Sequence, residues 1–77
     1  MTETALNIMN LFQRDNKMKT GMVIPFSQLT QHAKGWGQYQ SAKLKDAMGE
    51  LRDEGYVIIT PSDGVELTEE GYNYLMK

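Results

Sequence analysis

Apolar residues recur along this chain with two different periods, and the changes of period divide it into elements. Ala5, Ile8, Met9 and Phe12 stand at i, i+3, i+4 and i+7, which predicts an amphipathic helix from about Thr4 to Asp15. Leu6 and Leu11 widen its apolar face. Asn16 to Gly21 reads as a polar connection. Met22-Val23-Ile24 is a short apolar run closed by Pro25, so a brief strand is expected, at a sheet edge if Pro25 belongs to it. Ser27 is read as the N-cap of a short helix, Gln28 to Lys34, with Phe26, Leu29 and Ala33 turned inward. Gly35 then takes the place of a C′ glycine, and Trp36 that of the apolar residue that folds back on its helix.

A longer helix is predicted from about Gln38 to Glu54, with Leu44, Ala47, Met48 and Leu51 as its buried stripe. Gly55 ends it, and Tyr56 follows as the apolar C″ residue. Two strands come next, Tyr56 to Thr60 and Val65 to Thr68. Between them Pro61-Ser62-Asp63-Gly64 forms a turn, in which proline presets φ and glycine is expected to accept a positive one. Thr68 caps a last helix, with Leu67 and Tyr72 set for a hydrophobic staple and Glu69 and Glu70 at its positive end. Gly71 in that first turn is unfavourable for a helix, and a close approach to the hairpin would explain it.

Length holds this to one domain, residues 1–77. The regular recurrence of apolar residues argues against disorder. There is no cysteine, which removes disulfide frameworks, thiolate metal sites and cysteine nucleophiles, and fits a reducing cytoplasm. Neither Met22-Val23-Ile24 nor Val57-Ile58-Ile59 approaches a membrane span or a signal-peptide core. A cytoplasmic protein with a native start at Met1 is expected, with no membrane partner.

The net charge of -2 disfavours nucleic acid when taken alone. Its distribution changes the picture. Residues 14 to 45 carry Arg14, Lys17, Lys19, Lys34, Lys43 and Lys45 against Asp15, a local +5. Residues 46 to 77 carry eight acids against Arg52 and Lys77, a local -6. The chain is electrically two-sided.

The order helix, strand, helix, helix, strand, turn, strand, helix resembles a winged helix-turn-helix domain of the small bacterial transcription-regulator type. Three segments carry the resemblance: Pro25-Phe26-Ser27-Gln28-Leu29, Leu51-Arg52-Asp53-Glu54-Gly55-Tyr56-Val57, and Val65-Glu66-Leu67-Thr68-Glu69-Glu70-Gly71. It covers almost the whole chain. It implies an α+β fold of three to four helices with a small antiparallel sheet, the wing hairpin. It speaks for fold more than for function, because winged helices also bind RNA and proteins.

The resemblance implies that the helix beginning near Gln38 enters a major groove with its first residues. Gln38, Tyr39, Gln40, Ser41, Lys43 and Lys45 are then the candidate DNA contacts. Glutamine can pair with adenine, and lysine with guanine or phosphate. Gln28 and Lys34, with Gln31, His32, Lys17 and Lys19, are placed near backbone phosphates. Two features count against DNA, the first of which departs from the family's usual DNA-binding pattern. The wing tip Ser62-Asp63-Gly64 has no Arg or Lys, and the helix continues outward as Asp46, Glu50 and Asp53. A protein-interaction module or adaptor using the acidic face therefore stands as the alternative. Double-stranded DNA is the first expected partner, with a homodimer through the first and last helices (Leu11, Tyr74, Leu75) to supply a second half-site. Trp36 reads as a core plug and His32 as a surface residue.

No enzyme, metal or cofactor is expected. One histidine without a nucleophile motif makes no catalytic site, Gly35-Trp36-Gly37 lacks the Gly-Lys-Ser/Thr ending of a phosphate loop, and no metal-ligand spacing occurs.

Overall fold

The computed structural model describes residues 1–14 and 18–77, and within these the side chains of Tyr39 and Ser41 are outside the description. The expected helix end at Asp15, the first residues of the polar connection (Asn16 and Lys17) and the phosphate role given to Lys17 thus lie outside the described residues. The elements run α1 (Glu3–Gln13), β1 (Val23–Pro25), α2 (Phe26–Lys34), α3 (Gln38–Ala42), α4 (Leu44–Asp53), β2 (Val57–Thr60), β3 (Gly64–Leu67) and α5 (Glu69–Leu75). Both strand pairs are antiparallel and the sheet order is β1-β3-β2. This is the α+β layout of a winged helix, with four helices if α3 and α4 are counted as one interrupted helix.

The apolar stripes meet in one core. Ala5, Ile8, Met9 and Phe12 of α1 are buried against Leu29 of α2, Ala47 and Leu51 of α4, and Val57, Val65 and Leu67 of the sheet. Leu75 of α5 closes it. Trp36 is half-buried and packs on the same cluster. Alpha-1 is tied to α4 at its start. The Thr2 hydroxyl caps it by accepting from the Ala5 N–H at 3.3 Å, while the Thr2 N–H donates to Glu50 Oε1 at 2.9 Å.

The end of α4 follows its sequence signals closely. Gly55 takes the left-handed conformation at φ +81°. The Gly55 N–H donates to the Arg52 carbonyl and the Tyr56 N–H to the Leu51 carbonyl, both at 3.0 Å, the paired bonds of a Schellman motif. The Thr68 hydroxyl accepts from the Gly71 N–H at 3.0 Å as the N-cap of α5, and donates to the Gly55 carbonyl at 2.6 Å. One hydroxyl thereby joins the end of α4 to the start of α5. Gly71 is buried where a Cβ would collide with the Tyr56 carbonyl oxygen and press on Leu67, so close approach to the hairpin explains it. Tyr56 and Tyr74 stack above this joint with ring centroids 4.8 Å apart.

Four local expectations are corrected. Ser27 does not cap α2, which begins two residues earlier than expected, at Phe26 after Pro25, with no side-chain cap bond. The Asp63 carbonyl accepts from the Phe26 N–H at 2.9 Å, so the wing tip satisfies that donor instead. In the wing, the positive φ belongs to Asp63 (φ 59°) and not to Gly64. Thr60 pairs with Gly64 across a loop of three residues, and aspartate tolerates the left-handed position that such loops require. Gly64 serves close packing, since a Cβ there would sit 2.8 Å from Val23 Cγ1.

After α2, Gly35 is right-handed at φ -77°, and Gly37 holds the left-handed turn at φ +103°. The single helix expected over Gln38 to Glu54 is broken at Lys43, whose φ and ψ are -95° and 3°. There the Lys43 N–H reaches the Gln40 carbonyl three residues back at 3.0 Å, and the Ala47 N–H starts α4 by reaching the Lys43 carbonyl at 2.9 Å. Gln40 is held onto α1, because Asn7 Nδ2 donates to its Oε1 at 2.6 Å. Strand limits move by one residue at β1, at the start of β2 and at both ends of β3.

Candidate nucleic-acid interface

The helix-turn-helix unit is α2, the Gly35–Gly37 turn, and the interrupted α3–α4 pair. Leu29 and Ala33 are fully buried and fix α2 by its inner face, so its other side is left to solvent. Gln28, Gln31, His32 and Lys34 lie on that exposed side. Lys34 and His32 stand in the last turn, where cations suit the negative end of the helix.

The six sequence-derived candidates whose side chains are described are spread over four hollows. Lys34, Gln38 and Ala42 line a shallow hollow where α2 meets α3, with Gly37 between them. All of these are exposed, and Lys34 has no ion-pair partner among the described residues. Gln28 lies in a second hollow with His32 and Arg14 of the α1 C-cap, beside Leu11, Met22 and Ile24. Gln40 is half-buried and engaged with Asn7. Lys43 is exposed at the helix break and faces a cleft that also holds Glu3, Asp46 and Glu50. Lys45 is exposed on the first turn of α4 and borders a groove toward β2. The backbones of Tyr39 and Ser41 belong to α3, and their side chains lie outside the described residues.

Alpha-3, with the sequence Gln-Tyr-Gln-Ser-Ala, carries no charge. Lys34 precedes it, and Lys43 and Lys45 follow. Alpha-4 carries Lys45 and Arg52 against Asp46, Glu50 and Asp53. The break at Lys43 therefore separates a neutral polar segment flanked by lysines from an acidic one. Uncharged polar side chains at the start of a second helix are chemically suited to base edges, with cations beside them for phosphates.

Some residues of interest escape the sequence patterns. Asn7, on which no sequence pattern falls, bonds α1 to α3 through Gln40. Arg14 joins Gln28 and His32 only through the packing of α1 on α2. Gly49 stands in the interior of α4, where glycine costs up to about 1 kcal/mol relative to alanine. Its interruption of a helical pattern was the available signal. A Cβ at Gly49 would meet only the tip of Arg52, 3.9 Å away. The residues named for a dimer are used inside the chain: Leu75 is buried, and Leu11 and Tyr74 pack on the core. Leu6 on α1 and Met76, the residue after α5, remain exposed. Among the described residues no helix is long and apolar enough to cross a membrane. No protein-family model matches the chain, and no curated protein or solved structure matches it either.

Proposed function

We propose that this protein is a small DNA-binding transcription regulator of the bacterial winged-helix type, working in the cytoplasm. It meets duplex DNA with the end of α2 and the whole of α3. The observation that carries this reading is the α2–α3 hollow, where Lys34, Gln38 and Ala42 are exposed together. Gln38 reads a base edge, Lys34 meets a phosphate, and Lys45 extends the contact along the next turn.

The wing takes no part in this docking. Its tip has no cation, and its Asp63 carbonyl is bonded to the start of α2. One copy covers a single half-site, so specific binding calls for two copies. Leu6 of α1 and Met76 beside α5 supply exposed apolar contacts for such a pair.

Fluorescence anisotropy with a labelled duplex of mixed sequence tests the reading at low and at moderate salt. Binding should appear at low salt and weaken steeply as salt rises. Lys34→Gln should weaken it severalfold. Absence of binding at low salt would remove the proposal.

A further inference from the structure

A groove with a volume of about 890 Å3 runs along the outer side of α4, bounded by Phe26 at the start of α2 and by Ile59 of β2. Phe26, Met48 and Ile59 are only half-buried and give it an apolar floor. Its rim is charged and predominantly acidic. Asp46, Glu50, Asp53 and Glu54 stand there against Lys45 and Arg52, and Arg52 is already paired with Asp53 at 3.5 Å. Glu50 is partly used by the Thr2 N–H. A duplex brought against this groove would meet repulsion from the carboxylates, so it is not the DNA face.

Gly49 lies in the wall of this groove, midway along α4. It contrasts with Gly71, where a Cβ would strike backbone. Among the described residues nothing excludes a Cβ at Gly49, since only the flexible end of Arg52 comes near. The glycine weakens the helix and is not compensated by internal packing. A Cβ at Gly49 would stand at the groove, so the glycine leaves space on that side of α4.

We infer that this groove docks an amphipathic helix from a partner protein, with large apolar side chains on Met48 and Ile59 and Lys or Arg residues toward the acidic rim. The α4 wall from Lys45 to Glu54 is roughly 15 Å long at helical rise, which matches anchors at i, i+3, i+4 and i+7 of a partner helix. Charge complementarity decides the sign of the partner, and the glycine brings the two helices close. This inference does not rest on the DNA reading, whose residues other than Lys45 lie outside the groove.

The probe is a synthetic helical peptide with leucine at those four spacings and lysine elsewhere. Two controls keep its length, one with glutamate for lysine and one with alanine for leucine. Titration into isotope-labelled protein should shift the amides of Met48, Gly49 and Ile59, with at least tenfold weaker binding of either control. Gly49→Ala should raise the melting temperature by roughly 4 °C and yet weaken the peptide severalfold, because the added methyl group stabilises α4 and narrows the groove. Asp53→Asn with Glu54→Gln should weaken it further and flatten its salt dependence. Equal binding of the three peptides, shifts outside the groove, or unchanged affinity in Gly49→Ala would overturn the inference. So would concentration-dependent shifts of the same amides without peptide, which would give the groove to a second copy of this chain.

Discussion

The joint between α4, the hairpin and α5 differs sharply from the joint between α2 and α3. At the first, each strong local signal is answered inside the chain. Gly55 turns left-handed, the Schellman bonds close, Thr68 caps α5 and reaches back to Gly55, and Gly71 lets the Tyr56 carbonyl approach. At the second, Gly37 has nothing within 4 Å of where a Cβ would stand, and Lys34, Gln38 and Ala42 are exposed. The first joint is built to hold the fold. The second leaves polar groups unspent, and unspent polar groups on a fixed scaffold are what a ligand can use.

Substitutions should reproduce this contrast. The largest effect is expected at Gly71→Ala. The methyl group has only backbone and Leu67 to displace, so stability should fall by about 3 kcal/mol in urea unfolding. Thr68→Ala removes the cap of α5 and the bond to Gly55 together, for a loss of roughly 1.5 kcal/mol. At the other joint, Gly37→Ala should cost only about 1 kcal/mol, because strain at positive φ is its whole penalty. Gly35→Ala, in a right-handed conformation, should be neutral or slightly stabilising. A loss at Gly37 equal to that at Gly71 would erase the distinction between the joints. Lys34→Gln should likewise leave stability unchanged within about 0.5 kcal/mol. The same change should lower the slope of log affinity against log salt for DNA by about 1.

The same two joints explain how much could be read in advance. Signals that act within a few residues were legible: the α1 stripe, the Gly55-Tyr56 ending and the Thr68 cap all lie where the pattern put them. So did the α+β layout. What was not legible depended on contacts distant in sequence. Ser27 has the chemistry of a cap, but the Asp63 carbonyl, 37 residues beyond Phe26, answers the start of α2. The run from Gln38 to Glu54 contains no breaker near Lys43, and α3 is nonetheless separate, with Gln40 held by Asn7. Glycine drew the turn prediction at Gly64, whereas packing against Val23 occupies that residue and leaves the left-handed position to Asp63. For the candidate site, composition pointed to the basic stretch. Only the packing of α1, α2 and α3 divides it into the Lys34–Gln38 hollow, the Arg14–Gln28–His32 hollow and the acid-flanked position of Lys43.

In the proposed docking the α2–α3 joint, and not the α4 groove, faces DNA. Amide-resolved titration with a mixed-sequence duplex at two salt concentrations tests it most directly. Shifts should concentrate between Lys34 and Lys45 and fade as salt rises, with Gly49, Asp53 and Ile59 unmoved. Shifts centred on the α4 groove, or none at the lower salt, would contradict it.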